Sequence, residues 1–403
     1  WAIAFLPLLV AGIVKMGFPK ERRTGFLAAV LGYTGIILSH TISGYIATIF
    51  LLLYLVLHFV CSPNDRASLG LRSSMMAVSL LLTSFFWLPA MFEMHYTNVS
   101  GQIGSTASFF DHFVCPAQLW DSLWEFGGSI SGCIDGMSFK LGKLHVLFVG
   151  LSLLFGIFGY IRAREIVFFR LALTSLGISL LFMNGASRIF WQAIPGFAFI
   201  QYPWRFLSLS AFGISVLASL VISSLRSTIV RRGSALIVLF AIVVLYAKLF
   251  VPQYTYDTRP ETFADDSSFW YDVSKISDEY LPSEIPRPND IREVRRGTIQ
   301  TTKQPKYLEL EEDTETSIIV RIDAETELDI FVWRAFIPGW RFWVDGREVQ
   351  PKLSYGFPNF TLLPGYHTLE AKFMNTPVRT AGNALSVLSC IAVVYWYGKK
   401  AAS

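Results

Sequence analysis

Charged side chains are scarce in this sequence. Asp, Glu, Lys and Arg make up only 16% of its 403 residues, whereas soluble domains carry about 25%. Hydrophobic residues reach 53%, with 34 phenylalanines, and a single soluble core cannot take up that much apolar surface. The composition therefore excludes an ordinary soluble globular protein and predicts an α-helical polytopic membrane protein.

Cysteine and histidine are also few, with four and six residues. No spacing of Cys and His suggests a zinc site, and we expect neither a metal nor a cofactor. Cys115 and Cys133 fall in one long loop, where an oxidising compartment would allow a disulfide. The sequence does not supply their geometry, so the paired and the free states both remain open.

Apolar runs dominate the chain instead, and many approach the roughly 20 residues of a bilayer-spanning helix. We predict such runs at 2–14, 24–39, 44–60, 73–92, 144–161, 166–183, 206–223, 235–251 and 381–397. The first run is too short for a span, and it opens without a Met or a basic segment, so it is not a signal peptide. We expect the chain to be the C-terminal part of a longer protein.

Lys and Arg concentrate in alternate connections between these runs, and positive charge marks the cytoplasmic side of a membrane protein. The basic residues of this set are Lys15, Lys20, Arg22, Arg23, Arg66, Arg72, Arg162, Arg164, Arg226, Arg231, Arg232, Lys399 and Lys400. The opposite connections are 39–43, 93–143, 184–205 and an acidic block, 251–380. This alternation predicts a multi-pass protein of the cell membrane with the acidic block outside. The net charge of +4 is then a membrane signal and does not indicate a nucleic-acid partner.

The acidic block holds 22 of the 30 Asp and Glu residues and is the predicted water-facing part. Residues 251–297 are rich in Pro, Asp and Ser, and we expect an extended linker. From 298 to 380 apolar residues alternate with a period of two between Pro-Gly and Asp-Gly turns, which predicts an extracytoplasmic β-sandwich. A transmembrane domain of about eight spans precedes it at 1–250, and a last transmembrane helix with a cytoplasmic tail follows at 381–403.

The outer loop at 93–143 is too long for a plain connector and too aromatic for disorder. Its apolar residues recur at helical spacing, which predicts a helix lying in the membrane interface. Two interpretations of its polar and aromatic residues are open: they are solvated on that helix, or they line an outer cavity. In such a cavity a carboxylate or a His acts as a base or binds a sugar hydroxyl, and a Trp stacks on a sugar. The candidates are Glu93, Asp111, His112, Trp120, Trp124, Glu125 and Asp135.

The connection at 184–205 is apolar and twice interrupted by proline, so we expect it to dip into the outer leaflet. Arg188 and Arg205 have no acidic neighbour in sequence. Two such guanidinium groups suit a phosphate, although both also suit snorkelling to lipid headgroups or pairing with distant acids. His40, at the tip between the second and third runs, suits the same cavity or a structural hydrogen bond.

Several segments together resemble a prokaryotic family of membrane proteins labelled "6-pyruvoyl-tetrahydropterin synthase-related", which is grouped with the GT-C glycosyltransferase superfamily and its YfhO-like members. The segments that carry the resemblance are 86–93, 111–114, 118–119, 124–128, 135–142 and 201–206, and the Pro338-Gly339-Trp340 and Asp345-Gly346 pattern of the sandwich. The resemblance covers most of the chain. Nothing in the chain resembles a pterin enzyme.

The resemblance implies a GT-C-like fold and transfer of a sugar from a polyprenyl-phosphate donor to a glycan or protein acceptor at the outer membrane face. We expect Arg188 and Arg205 to bind the lipid phosphate. The residues expected to contact sugar or acceptor are His40, Glu93, Asp111, His112, Trp124 and Asp135. The catalytic acid of such enzymes lies in a first outer loop, which would precede Trp1, so the catalytic residue stays unknown. The alternatives are a non-catalytic scaffold for envelope assembly, with a protein- or glycan-binding sandwich, and a transporter.

Overall fold

A computed structural model describes residues 1–61, 66–99, 108–123, 128–252, 254–255, 257, 259, 261, 271, 281–286, 288–294 and 297–399. The chain divides into two compact units. The first comprises Trp1–Thr83 and Ile103–Thr255, and the second comprises Ser84–Gln102 and Tyr256–Ser403. As predicted, the protein is mostly helical, with several apolar helices and a β-region towards the C-terminus. Most of the predicted linker, 251–297, lies outside the described residues.

The helices carry most of the apolar runs. Those of the first unit are α1 Ala2–Lys15, α2 Arg22–Ser39, α3 Thr41–Cys61, α4 Arg66–Leu82, α6 Pro116–Trp120, α7 Lys143–Ile157, α8 Ile166–Met183, α9 Arg188–Ala193, α10 Leu207–Ser223 and α11 Thr228–Tyr246. Within the described residues of the second unit, the helices are α5 Ser84–Phe92 and α12 Pro377–Lys399.

Five helical segments of the described residues are long and apolar enough to cross a membrane. They are Thr41–Val60, Ile166–Met183, Pro203–Ser223, Thr228–Phe250 and Pro377–Gly398, and Ser68–Leu82 with Ser84–Phe92 adds a sixth if that pair is one broken span. Ala2–Lys15 and Lys143–Ile157 are apolar but shorter. The chain is therefore compatible with a polytopic membrane protein.

The predicted run 73–92 is not one continuous helix, because α4 ends at Leu82 and α5 begins at Ser84. Hydroxyl side chains cluster at the break. Thr83 Oγ1 donates to Ser79 O at 2.9 Å, and Ser84 Oγ donates to Gly382 O at 2.9 Å. A hydroxyl bond to the carbonyl four residues earlier, as at Thr83, often bends a helix, and hydropathy alone does not register it.

Small residues let the helices of the first unit approach closely, as is common between helices in membranes. A side chain on Gly12 of α1 would meet the backbone of Ala29 and Gly25 of α2. Between α8 and α10, Ser175 Oγ donates to Leu209 O at 2.8 Å, and Ser179 Oγ donates to Phe206 O at 2.6 Å. The helix contacts therefore combine close packing with buried hydrogen bonds.

The β-region is a sandwich of two antiparallel sheets. Its strands are β1 Ile299–Thr301, β2 Tyr307–Asp313, β3 Ser317–Ala324, β4 Leu328–Val332, β5 Trp340–Val344, β6 Arg347–Val349, β7 Lys352–Ser354, β8 Phe357–Leu362 and β9 Gly365–Phe373. The sheet orders are β1-β4-β8-β7 and β2-β3-β9-β5-β6. One apolar core joins both sheets, with Val320 and Leu369 from one and Ile330 and Phe360 from the other.

The period of two and the turn residues explain this sandwich. Burial along β3 alternates, because successive side chains of a strand point to opposite faces. Asp345 and Gly346 both have positive φ, 52° and 74°, in the two-residue turn between β5 and β6, which is where hairpins favour Asp-Gly.

Candidate functional site

The loop that contains most of the predicted site residues is held together internally. Cys115 and Cys133 form a disulfide, with Cα atoms 5.6 Å apart. Asp135 Oδ1 accepts a hydrogen bond from Gln118 Nε2 at 2.8 Å, and its Oδ2 accepts one from the Leu123 amide at 3.1 Å. Both carboxylate oxygens of Asp135 therefore fix the loop, which makes it a positioning residue.

The predicted interfacial helix is reduced to a 3₁₀ turn at Phe109–Asp111 and the short helix α6. Pro116 occupies the start of α6, since its missing N–H costs nothing there. The disulfide and Asp135 hold the chain on either side of α6 and replace the hydrogen bonds of a longer helix. Trp124 and Glu125 lie outside the described residues.

The end of α8 anchors this loop. The Val114 amide donates to Met183 O at 2.9 Å. The rings of Phe109 and Phe113 contact Trp191, with centroids 5.1 and 5.9 Å away, and Trp191 is almost completely buried. Its Nε1 donates to Phe182 O, also on α8, at 3.1 Å.

The connection between α8 and α10 is apolar and irregular, as predicted, and α3 holds it as well. Tyr45 Oη donates to Pro195 O at 2.7 Å. Gly196, next in the chain, has φ of 86° and packs under the Tyr45 ring, where a side chain would lie 3.1 Å from the hydroxyl. The connection thus lies against α3, α8 and the loop of Phe109 and Phe113 at once.

A strained turn at Gln201 positions Arg205. Gln201 has φ of 63° and ψ of −49°, and the Tyr202 amide donates to Ile200 O at 2.6 Å. This is a γ-turn of the rare strained form. Arg205 Nη1 donates to the same carbonyl at 2.7 Å and to Gln201 Oε1 at 3.3 Å.

Tyr202 lies between two predicted site residues. The Arg205 guanidinium carbon is 5.1 Å from the centre of its ring, and the His112 ring meets it edge to face with centroids 5.0 Å apart. His112 and Arg205, 93 positions apart in sequence, are therefore neighbours through one aromatic ring. Backbone strain of this kind is often retained where it orients functional groups.

His112 is held in a defined orientation. Its Nδ1 forms a hydrogen bond with Ser129 Oγ at 2.9 Å. Partial burial lowers the pKa of His112 below its ordinary value, and the neighbouring Asp111 opposes this shift. The neutral imidazole is therefore favoured near pH 7, and a neutral ring nitrogen is able to accept a proton or a hydrogen bond.

Arg188 lies over another ring of the same loop. Its guanidinium carbon is 4.3 Å from the centre of the Phe110 ring, and Phe110 packs on Phe109. Among the residues that the structure describes, neither Arg188 nor Arg205 forms an ion pair with a carboxylate. Both cations therefore keep donors for a further ligand.

We call this set the arginine–aromatic layer: Phe110, Asp111, His112, Arg188, Tyr202 and Arg205. It brings together four residues singled out from the sequence, Asp111, His112, Arg188 and Arg205. Arginine over a ring face and a neutral histidine suit an anion flanked by polar groups. Tyr202, Phe110 and Gln201 were not predicted individually. The proline and aromatic composition of the connection marked the segment, but positive φ at a Gln has no sequence signature.

Glu93 belongs to the second unit, and its carboxylate already binds two side chains of the same unit. Its Oε2 accepts from Arg379 Nη2 at 2.7 Å and Nε at 2.9 Å, and Thr376 donates to its Oε1. The side chains of Glu93 and Arg379 are only 13% and 20% exposed. The pair ties the end of α5 to the start of α12.

His40 has a structural contact of its own. Its Nδ1 lies 3.0 Å from Ser43 Oγ and accepts the Ser43 amide at 3.2 Å. It thereby satisfies an N–H in the first turn of α3, as capping residues do. Its other ring nitrogen forms no hydrogen bond within the described residues.

The second unit also contains an open cavity of about 770 Å³, between the β5–β6 hairpin and the first turns of α12. Trp340, Glu348, Met374 and Thr380 are among the lining residues. None of the predicted site residues lines it. Its mixed apolar and polar wall does not select one class of ligand.

Comparison of the chain with known proteins does not test the resemblance noted in the sequence. No protein-family model, curated protein or solved structure matches this chain. The family, and the activity that it implies, therefore stay predictions.

Proposed function

We propose that this chain is part of a GT-C-like membrane glycosyltransferase that uses a polyprenyl-phosphate-linked sugar at the outer membrane face. The observation that carries the proposal is the arginine–aromatic layer. Arg188 and Arg205 lie on aromatic rings without a carboxylate partner among the described residues, and His112 shares the Tyr202 ring with Arg205. Guanidinium groups stabilise the charge that builds on a departing phosphate.

In this proposal the side chains of the arginine–aromatic layer have different roles according to their charge. Arg188 and Arg205 bind the lipid phosphate, and the neutral His112 and the exposed Asp111 contact the sugar or acceptor. Asp135 positions the loop, because both of its oxygens accept hydrogen bonds from the protein. Arg205 is preorganised by Ile200 O, which reduces the ordering required on binding. The base that activates the acceptor remains unassigned.

The outer location is also part of the proposal. A disulfide at Cys115 and Cys133 is typical of an oxidising compartment and rare in the cytosol. It lies in a loop that the Lys and Arg pattern assigns to the outer side. Two independent features therefore support the same orientation.

The test is binding of an undecaprenyl-phosphate-linked sugar to the protein purified in detergent. We expect saturable binding in the wild type. Charge-assisted hydrogen bonds contribute about 1.5–3 kcal/mol each, so Arg188→Ala or Arg205→Ala should weaken it at least about tenfold, and the double variant at least about a hundredfold. The control Arg292→Ala/Arg347→Ala removes two arginines from the second unit and should leave affinity unchanged.

Arg205→Lys separates charge from geometry. Lysine keeps the positive charge but has no planar fork for bidentate contact. We expect a loss closer to that of Arg205→Ala than to wild type. Affinity equal to wild type in both Arg205 variants would contradict the phosphate assignment.

A second candidate function is a non-catalytic scaffold, and one observation favours it. The carboxylates of Glu93 and Asp135 are engaged within the protein, which leaves Asp111 as the predicted acceptor-contacting acid without such a bond among the described residues. The absence of saturable donor binding in the wild type would favour the scaffold over the transferase.

A further inference from the structure

A small cleft lies where the outer loop meets the end of α11. Its volume is about 200 Å³. The lining residues are Trp120, Asp121, Lys140, Gly142, Lys143, Leu144, Leu245, Tyr246, Lys248 and Leu249. It shares no residue with the arginine–aromatic layer, so it requires an explanation of its own.

The charge of the cleft is positive. Three lysines, Lys140, Lys143 and Lys248, face one acid, Asp121, which gives a net charge of 3 − 1 = +2. Lys143 lies over the Trp120 ring, with Nζ 5.9 Å from its centre, and Lys140 Nζ donates to Ser122 O at 3.3 Å. Within the described part of the chain, none of the three lysines forms an ion pair.

The wall of the cleft is fixed by a close backbone approach. Gly142 has φ of 92°, and a Cβ on it would lie 2.2 Å from Tyr246 Oη. Tyr246 Oη is also 3.3 Å from His145 Nδ1. The Leu141 amide donates to Leu119 O at 2.9 Å. The lysines therefore project from a rigid loop and from the end of a helix packed against it.

The apolar side of the cleft continues along α11. No residue of α11 is buried, and the span Thr228–Phe250 has the composition of a membrane-crossing helix. Leu245 and Leu249 lie at the rim. A ligand here would meet ammonium groups at one end and an apolar helix with no buried residue at the other.

We propose that this cleft binds the phosphate headgroup of an anionic glycerophospholipid, with its acyl chains along α11. Lysine binds phosphate as a point charge, and clustered lysines at a membrane surface attract anionic lipids. A soluble phosphate would use the lysines but not the apolar rim. The amphipathic lining therefore favours a lipid over a free anion.

The experiment measures retention of phosphatidylglycerol against phosphatidylcholine by the full chain, using native mass spectrometry from mixed micelles. We expect saturable retention of about one phosphatidylglycerol. Lys140→Gln/Lys143→Gln/Lys248→Gln should reduce its affinity at least about tenfold. Asp121→Asn should act in the opposite direction and increase affinity by about fivefold, because it removes the one negative charge of the cleft.

The control Lys303→Gln/Lys306→Gln/Lys352→Gln removes three exposed lysines of the sandwich and should retain the lipid like wild type. An intact Cys115–Cys133 disulfide in each variant verifies that the loop is folded. Equal retention of both lipids, or equal losses in both triple variants, would overturn the proposal. Displacement of the lipid by millimolar inorganic phosphate would also overturn it, in favour of a soluble anion site. The outcome does not depend on polyprenyl-phosphate binding at Arg188 and Arg205.

Discussion

At the scale of single residues, some cations in the described part of the chain lie over aromatic rings instead of pairing with acids. Arg188 lies over Phe110, and Arg205 lies over Tyr202. Such contacts contribute about 0.5–2 kcal/mol and leave the guanidinium edge free to donate. In the first unit, where acids are scarce, this arrangement holds a positive charge in place without neutralising it.

The pair of Glu93 and Arg379 illustrates the opposite case, a charge fully satisfied inside the protein. Arg379→Ala leaves the Glu93 carboxylate mostly buried without its bidentate partner, which should cost about 3 kcal/mol of unfolding free energy. The matched control is Arg292→Ala, since Arg292 pairs with Asp290 but is 86% exposed. It should leave the stability close to that of the wild type, because an exposed ion pair contributes little.

Thermal or detergent-induced unfolding of the full chain measures both variants. Equal destabilisation by Arg379→Ala and Arg292→Ala would show that the Glu93 contact is not a special constraint.

The pair of His367 and Asp345 predicts a pH dependence. His367 Nδ1 lies 2.7 Å from Asp345 Oδ2, and its Nε2 lies 2.9 Å from Leu363 O. The bond to Asp345 raises the pKa of His367, partly offset by burial. Partial burial raises the pKa of Asp345, but bonds from His367 and the Thr368 amide outweigh it, and that pKa falls.

The two shifts act over different ranges of pH. The contribution of His367 is complete below its ordinary pKa of 6.5 and is lost as pH rises through its raised value. The contribution of Asp345 is present above its ordinary pKa of 3.8 and is lost as pH falls through its lowered value. The pair should therefore stabilise the sandwich most between these two ordinary values.

Histidine titration by NMR checks this interpretation. We expect the pKa of His367 to lie above 6.5 in the wild type and to fall in Asp345→Asn. An unchanged His367 pKa in that variant would contradict the account.

At the scale of elements, small residues set the contact between α5 and α12. Ser84 Oγ lies 3.0 Å from Ser386 Oγ, and a Cβ on Gly382 would lie 2.8 Å from Ser84 O. Gly382 and Ser386 are four positions apart on one face of α12, which is the spacing of small residues at close helix contacts.

Gly382→Leu should force these helices apart and destabilise the protein by about 1–3 kcal/mol, the usual cost of overpacking. Gly398→Leu is the control on the same helix, since a Cβ at Gly398 meets no atom within 4 Å. The unfolding midpoint of Gly382→Leu should be clearly lower than that of Gly398→Leu. A Gly382→Leu variant as stable as Gly398→Leu would contradict the packing account.

The strained turn at Gln201 predicts that relieving the strain increases stability but weakens donor binding. Glycine adopts positive φ without steric cost, so Gln201→Gly should relieve about 1 kcal/mol of strain. It also removes the side chain that accepts from Arg205. We therefore expect a slightly higher melting temperature and weaker donor binding, measured on the same preparation. A variant with tighter binding would show that the turn does not position Arg205.

The elements differ in how far the sequence predicted them. Alternation in 298–380 and the Asp345-Gly346 turn determine strands through backbone geometry, so the sandwich was predictable. The helix break at Thr83 depends on a hydroxyl bond to Ser79, and the short α6 depends on Asp135 reaching Gln118 from 17 positions away. The first bond is local, between residues four positions apart, and the second is tertiary. Hydrophobic periodicity registers neither of them. For the same reason the contact of His112 with Arg205 through Tyr202 was not predictable.

At the scale of the whole molecule, the orientation in the membrane is the least constrained feature and is testable with native cysteines. In a Cys61→Ser/Cys390→Ser variant, the remaining thiols are Cys115 and Cys133, joined as a disulfide. If their loop is outside, a membrane-impermeant maleimide should label intact cells only after an impermeant reductant. Labelling that requires cell lysis would place the loop inside.

The central claim is that the arginine–aromatic layer binds a polyprenyl phosphate. The most direct measurement is photo-crosslinking of a diazirine-bearing polyprenyl-phosphate analogue to the full chain in membranes, followed by peptide mapping. The account predicts label on 108–114 and 197–206, lost in Arg188→Ala/Arg205→Ala and competed by unlabelled donor. Label that persists in the double variant, or that falls only on exposed apolar helices such as α11, would contradict it.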